Sequence, residues 1–507
     1  MNKEYSRTKR FIYSSITTAF YQLVLFAAGM ITPKVMLVFY SSEINGLVTS
    51  ISQFITYFNL IEAGLSGAAV FALYKPLADN DSSAVSSVVV ATKKYYDQIG
   101  KVFLLLISIF SFVYPFIVSL DSLSALQVGL LVLILGGNSV LEFFSLAKYR
   151  ALLAADQKTY IISLASIIQV ILNTIIIYVL AQFRVNIIVL RLVALTSVFV
   201  RTAILAMYVR KKYPQLNYKA KPNSIALNKR WDAMYMQILG AIHSGAPVLI
   251  LTLVVRDLLL VSVFSIYNMV ITGLHGVMTI FSSGLSASFG DVIVKKQHSI
   301  LQDTYQQFEL AYLSLMTVIY ATAMVMIQSF VEIYTHGITD TNYNLPIVGI
   351  LIVINAFVFN LKSPQAMLLI AAGLYRESRL QTTIQGVIMV ILGCVFGYFW
   401  KIEGILVASI ISNVYRDIDL IQFIPKHVTH LPIKNTLLRW IRSIACFVAV
   451  IIIFNSVVIS PNGYLQWIIW AIIVVAVSSA ILLINALCFD RIILTRMVHR
   501  IKETFRR

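Results

Sequence analysis

The sequence predicts an all-α integral membrane protein of fourteen transmembrane helices, arranged as two six-helix lobes in parallel pseudo-twofold relation plus two further helices. Three observations carry this expectation. Hydrophobic residues make up 59% of the 507 residues and charged residues 12%, against roughly 45–50% and about 25% in soluble domains. Mean hydropathy is +0.83, more apolar surface than a soluble core of this size can hide. The apolar residues also fall into runs of about 20 or more, the length that crosses the hydrocarbon core as a helix.

The first lobe, residues 1–220, holds expected spans at 11–39, 44–75, 101–120, 124–147, 159–182 and 185–209. The first run is too long for a signal-peptide core and is expected to stay as a span. The second lobe, 221–430, holds 233–255, 257–290, 305–330, 345–373, 380–400 and 403–425. Residues 431–507 hold 437–459, 464–488 and a basic tail. The second and eighth runs are long, which implies tilt or an extension past the membrane edge. Residues 76–100 read as an interfacial amphipathic helix capped by Asp81 or Ser82. Residues 210–232 read as a basic linker with two prolines, and they mark the lobe boundary. A repeat supports the two lobes. Pro33 and Pro247 lie in the first span of each, and Gly-Leu-Ser recurs at Gly64–Ser66 and Gly284–Ser286 in the second. Repeated lobes are typical of secondary transporters.

Lysine and arginine set the orientation. With the N-terminus inside, most of the 40 basic residues cluster at inner edges: Lys3 to Arg10, Lys93 and Lys94, Lys148 to Lys158, Arg210 to Arg230, and the tail from Arg491. Outer loops hold only Arg184, Arg256 and Lys401. Both termini are therefore expected in the cytoplasm. The net charge of +18 is accounted for by this asymmetry and implies no nucleic-acid partner. Cys394, Cys446 and Cys488 all lie in apolar runs, which points to reduced, non-metal cysteines.

Charges inside the bilayer cost at least about 2.5–3.5 kcal/mol each and mark partners or water-filled paths. Glu62, Glu142 and Arg201 fall in the inner halves of spans two, four and six, and Lys34 and Arg191 toward the outer side. Lys362, Arg416, Asp417 and Asp419 fall toward the inner side of spans ten and twelve. Arg256 marks an outer tip, while His243 and His275 lie in spans seven and eight. Lys34, Arg191, Arg201, Arg256 and Lys362 form a candidate cationic cavity for an anionic substrate between the lobes, since the planar fork of arginine binds two phosphate oxygens at once. Against that stands internal pairing, expected above all for Arg416 beside Asp417 and Asp419. Glu62 and Glu142 are read as gate or structural groups, or as an ion site, and His243 as a packed polar residue or a coupling group. For Glu62, Arg201 is the expected partner, beside small residues that let helices approach closely.

No catalytic motif is present. The sequence lacks GxxxxGK[ST], HExxH, GxSxG and any Cys/His metal spacing, and no loop is long enough to house an active site. The expectation is a non-enzyme with no metal and no cofactor, with coupling to a Na+ or H+ gradient left open.

The stretch from Tyr40 to Asp81 resembles the Wzx-type oligosaccharide-lipid flippases of the multidrug/oligosaccharidyl-lipid/polysaccharide (MOP) exporter superfamily, which also holds the multidrug and toxic compound extrusion (MATE) transporters and the lipid II flippase. The residues that carry it are Asn45, Gly46, Leu47, Glu62, Gly64, Leu65 and Ala72 to Leu77; elsewhere the likeness is one of layout. The resemblance implies a MATE-like, lipid II flippase-like fold in a bacterial plasma membrane. It implies alternating-access transfer of undecaprenyl-diphosphate-linked oligosaccharide to the outer leaflet, for capsule, exopolysaccharide, O-antigen or teichoic acid. Implied partners are that lipid-linked glycan, membrane lipids, and polymerases or glycosyltransferases of the same pathway. Two other readings stay open: a MATE-like cation-coupled drug antiporter using Glu62 or Glu142, and a scaffold for a polysaccharide synthase.

Overall fold

The computed structural model describes residues 2–506 apart from 63–64, 119, 121, 224–239, 242–244, 284–288, 291, 294, 296 and 458. Among the described residues there is no β-strand. Twelve helices are long and apolar enough to cross a membrane, and Gly245–Val255 is a shorter apolar helix. One of the twelve, Arg379–Thr429, takes in two expected spans. The fourteen expected crossings thus each have a helical counterpart, the seventh over its described part. The chain is a multi-pass membrane protein. Its outer faces are apolar: Phe112, Phe116 and Phe183 are 74%, 79% and 76% exposed. Helices suit that setting because they satisfy their backbone groups internally.

The chain divides into two compact units, Met1–Ser262 and Val263–Arg507. In the first, α1 (Asn2–Phe39) leads to α2 (Ser42–Phe58), a 3-10 turn (Asn59–Glu62) and α3 (Leu65–Ala78). Span two is therefore interrupted at Glu62. Then come α4 (Ser82–Ile117), α5 (Ala125–Leu141), a π-turn (Glu142–Leu146), α6 (Ala147–Ala155), α7 (Thr159–Gln182), α8 (Ile187–Leu195) and α9 (Ser197–Lys212). Helix α10 is Gly245–Val255. Helix α11 (Leu258–Ser283) begins in the first unit and ends in the second.

Local chemistry explains several of these limits. Ser41 Oγ accepts from Ile44 N at 3.1 Å and starts α2. Asp81 Oδ1 accepts from Ser83 N and Ala84 N at 3.0 and 2.9 Å and starts α4, the cap expected from sequence. Ser124 and Gln127 form a reciprocal capping box on α5. One expectation changes here. Residues 82–100 do not form a separate interfacial helix but run unbroken into the third span, because no helix-breaking residue lies between Asp81 and Pro115 except Gly100, where a Cβ would meet the Phe144 ring at 3.0 Å.

The unit boundary falls inside α11 and not in the basic linker, because side chains tie α10 and the start of α11 to α2. Asn45 Nδ2 donates to Ser262 Oγ at 2.8 Å, and Ser50 Oγ and Thr252 Oγ1 lie 2.8 Å apart. At Gly46 a Cβ would meet the Leu258 carbonyl oxygen at 1.9 Å, so only glycine permits the approach. The Asn45-Gly46 pair thus owes its identity to helix packing. Of the repeat markers, Pro33 lies in α1 and Pro247 in α10, while Gly284–Ser286 lies outside the described residues.

In the second unit α12 (His298–Thr335) is followed by α13 (Pro346–Leu361), α14 (Ser363–Ala371), α15 (Arg379–Ile424), a π-turn (Pro425–Thr429), α16 (Ile433–Asn455), α17 (Tyr464–Phe489) and α18 (Arg491–Arg506). Helix α15 bends where Trp400 and Lys401 leave helical geometry, Lys401 at φ 49. A Cβ at Gly404 would meet Phe396 O at 2.1 Å, so glycine is what lets the two halves fold this tightly. Helices α16 and α17, the two spans beyond the repeat, both pack on α12.

A buried charge cluster fixes that packing. Glu309 on α12 is 1% exposed. It accepts from Arg439 Nη1 on α16 at 2.5 Å, Tyr305 Oη at 2.9 Å, Thr436 Oγ1 at 2.9 Å and Gln365 Nε2 at 3.2 Å. Asp490, at the end of α17, takes Arg439 at 3.3 Å and Arg442 at 2.8 Å. Both arginines lie at the inner end of expected span 437–459, where the orientation rule reads basic residues as inner charges. They are instead consumed by two buried carboxylates, whose pairing across 130 and 51 residues no local pattern announces.

Candidate functional site

The first unit holds a partly open cavity of about 410 Å3, lined by residues of α1, α5, the π-turn after it, α7, α8 and α9. All of these helices belong to candidate spans, so the cavity lies at membrane depth. Its polar lining is Tyr21, Asn138, Glu142, Gln169, Asn173, Arg191 and Arg201.

Local structure places each charge. The π-turn Glu142–Leu146 inserts a residue into span four and redirects Glu142; such bulges are frequent at functional sites. The break at Thr196 separates α8 from α9. Arg191 is carried on the first and Arg201 on the second.

Glu142 is shared. Arg150 Nη1 binds its Oε1, and Arg201 Nη1 approaches the same oxygen at 3.6 Å. Arg201 Nη1 also donates to Gln169 Oε1 at 3.3 Å. Arg191 has no such contact. Its Nε and Nη2 are shielded from solvent and meet no hydrogen-bond acceptor, and the same holds for Arg201 Nε. The group that acts on Arg191 electrostatically is the Tyr40 hydroxyl, which itself donates to Val185 O at 2.6 Å. Two arginines thus line the cavity, and three of their nitrogens are buried donors without acceptors. An unpaired charge at the centre of a span costs at least about 2.5–3.5 kcal/mol.

The expected site residues separate into distinct settings. Arg191, Arg201 and Glu142 are brought together. Glu62 is close by but does not line the cavity, and its expected partner is corrected: Tyr96 Oη donates to Glu62 Oε1 at 2.8 Å, while Arg201 is engaged by Glu142 and Gln169. Arg150 is in electrostatic reach of both carboxylates. The 3-10 turn at Asn59–Glu62 aims Glu62 toward α4, which carries Tyr96. Lys34 is half-buried next to Pro33 in α1, outside the cavity lining. Arg256 is exposed, at φ 56 after α10. His243 lies outside the described residues.

Lys362 belongs to the second unit, at the joint between α13 and α14, and is 6% exposed. Its Nζ donates to Asn413 Oδ1 at 3.0 Å and Phe359 O at 3.2 Å, and lies 3.5 Å from Asp417 Oδ1. The expected local pairing of Arg416 holds only with Asp419, and Ser378 Oγ is its other partner. Asp417 instead faces Lys362, because neighbours on a helix point about 100° apart.

Sequence reasoning missed the amides Asn138, Gln169 and Asn173, and the role of Arg150. The amides are polar side chains inside apolar runs, a signal that was legible. Arg150 was counted among cytoplasmic charges because it follows the span edge. Among the described residues no group of His, Cys, Asp and Glu has the makings of a metal site.

No protein-family model matches the sequence, and no curated protein matches it. Solved structures do match in fold. Against the lipid II flippase MurJ in an inward closed conformation, the TM-score is 0.70 at 15% identity, over 95% of this chain and 100% of that one. Against an inward-facing multidrug resistance MATE family transporter of the MOP superfamily it is 0.66 at 13% identity, over 84% and 98%. A MOP superfamily transporter from Pyrococcus furiosus Vc1, described as having a binding pocket of reverse polarity, gives 0.55 at 12% identity, over 87% and 96%. These neighbours are transporters and a flippase, and the fold of this chain is the one that MOP-superfamily MATE transporters and the lipid II flippase share.

Proposed function

We propose that this protein is a Wzx-type flippase, carrying undecaprenyl-diphosphate-linked oligosaccharide from the inner to the outer leaflet of a bacterial plasma membrane by alternating access. The observation that supports it is the charge balance at membrane depth. In the first unit Arg191 keeps a guanidinium inside the membrane with no carboxylate beside it, and the cavity's one acid, Glu142, is already held by two arginines. A diphosphate is an acceptor-rich anion that suits such a wall; a cationic drug does not. Lys34 and Arg256 are the further basic residues along the path, and both termini face the cytoplasm. Energy comes from an ion gradient or the membrane potential, with polymerases and glycosyltransferases of an envelope pathway supplying and consuming the glycan.

The MATE-like fold favours a second reading, export of cationic drugs. That reading needs an intramembrane carboxylate left for a cation. Glu62 is held by Tyr96, and Glu142 by Arg150 and Arg201.

Reconstitution tests the choice. The full chain in liposomes is given a fluorescent undecaprenyl-diphosphate-linked oligosaccharide in one arm and a cationic dye in the other. Movement of the lipid-linked sugar with no dye transport is expected. Dye transport coupled to a proton or sodium gradient, with the lipid immobile, would contradict the proposal.

A further inference from the structure

We propose that α18 lies in the plane of the membrane surface and binds the headgroups of anionic phospholipids, seated on the first turns of α12. The helix follows α17 directly and reads RIILTRMVHRIKETFR. At 16 residues it is too short to cross the hydrocarbon core. At about 100° per residue, Ile493, Leu494, Met497, Val498, Ile501 and Phe505 fall on one arc of about 140°. Arg491, Arg496, Arg500, Lys502 and Arg506 fall on the rest of the circle, with Glu503 as the acid among them and Ile492 as the apolar exception. A basic polar face beside an apolar one, at low overall hydrophobicity, is the pattern of a helix that rests in the interface. The described side chains follow it. Ile493, Leu494 and Met497 are half-buried, whereas Arg491, Thr495, Arg496 and His499 are exposed.

The fold pins this helix at two points. Asp490, which separates α17 from α18, is 8% exposed. Its carboxylate holds Arg439 and Arg442 of α16, and its carbonyl accepts from Leu494 N at 2.9 Å. The corner is therefore part of the buried clamp. Further along, Arg496 Nη1 donates to Asp303 Oδ1 of α12 at 2.9 Å. An open cavity of about 480 Å3 lies between the two helices, with Ser299, Thr304 and Gln307 on the α12 side and Arg496 and His499 on the α18 side. The acid in its lining, Asp303, is engaged by Arg496 and by Gln307 Nε2 at 2.7 Å. Charge decides the occupant. Five basic residues against one acid favour an anionic surface over a zwitterionic one, since each base near such a surface adds to binding and salt screens the gain. An acidic protein would answer the bases alone; the apolar arc beside them calls for acyl chains as well.

That the headgroups belong to the inner leaflet rests on the cytoplasmic placement of both termini; the contact itself does not, and the test is independent of the substrate. The full chain is placed in nanodiscs of phosphatidylcholine alone or mixed with phosphatidylglycerol, and amide hydrogen exchange is followed over residues 491–506. Phosphatidylglycerol is expected to slow exchange there on the order of tenfold or more, while α17 exchanges alike in both discs. High salt is expected to shrink the difference. A variant carrying Arg500→Gln, Lys502→Gln and Arg506→Gln keeps the Asp490 corner and the Arg496–Asp303 pair, and it is expected to lose most of the difference. Lys94→Gln, an exposed charge on α4, is expected to keep it. Should the three-site variant fold poorly, the salt dependence of the wild-type chain carries the comparison. Equal exchange of α18 in the two discs would overturn the proposal, and so would a phosphatidylglycerol effect that the three-site variant retains in full. Protection in detergent without phospholipid that matches the anionic disc would also overturn it, because packing on α12 alone would then suffice.

Discussion

The two units differ in one feature of their buried charge. Among the described residues of the second, each buried cation has a matching acid: Arg439 and Arg442 meet Glu309 and Asp490, Lys362 meets Asp417, and Arg416 meets Asp419. In the first, Lys158 is paired in the same way with Asp156, but Glu142 is divided between Arg150 and Arg201, and Arg191 is left without a carboxylate. Burying a charge is costly in either place. Paired, it becomes a clamp whose loss shows as lost structure. Unpaired, it is tolerable where a ligand comes to complete it. The contrast separates charges that hold helices together from the charge that the proposed function assigns to a substrate.

Breaking the second unit's clamp is expected to give the largest effect. Glu309→Ala leaves Arg439 buried without its main partner, and destabilisation of about 3–5 kcal/mol is predicted. Thermal unfolding in detergent would show it, with activity falling only as folded protein falls. Lys362→Met is expected to behave alike, because Asp417 is 4% exposed and then stands unpaired; pairing it with Asp417→Leu should restore most of the loss, since a buried ion pair replaced whole by apolar residues is often neutral. Additive losses in that double mutant would show that the pair does more than neutralise itself.

Smaller structural effects are expected in the first unit. Glu62→Gln keeps an acceptor for Tyr96 Oη and should cost no more than about 1 kcal/mol. A larger loss, or altered ion dependence of transport, would move Glu62 from the structural group to the ion-coupling group. Asp81→Ala removes two cap bonds from α4, and about 1 kcal/mol is predicted, read from the midpoint of thermal unfolding.

The sequence announces what depends on local pattern. Apolar runs of spanning length locate the helices, and Asp81 and the Pro33 and Pro247 positions are legible as cap and span markers. Gly46 is visible as part of a motif, but its reason, the approach of the Leu258 carbonyl, is a tertiary fact. The interruption at Asn59–Glu62 has no breaker among its own residues, and the π-turn at Glu142 has none either. Pairing is the least legible layer. Glu62 with Tyr96, Lys362 with Asp417 and Arg439 with Glu309 are choices made by helix packing across tens of residues. Depth alone brought Arg191 and Arg201 into one list with Lys34, Arg256 and Lys362. Geometry separates them, because only the first two line the cavity.

The most direct test of this contrast is the flipping rate of undecaprenyl-diphosphate-linked oligosaccharide by Arg191→Gln in liposomes, at matched amounts of folded protein. The account predicts a thermal midpoint equal to or above wild type, because an unpaired buried charge has been removed, together with a loss of flipping of roughly tenfold or more. Wild-type flipping by this variant, or a loss of flipping that tracks a loss of folded protein, would contradict it.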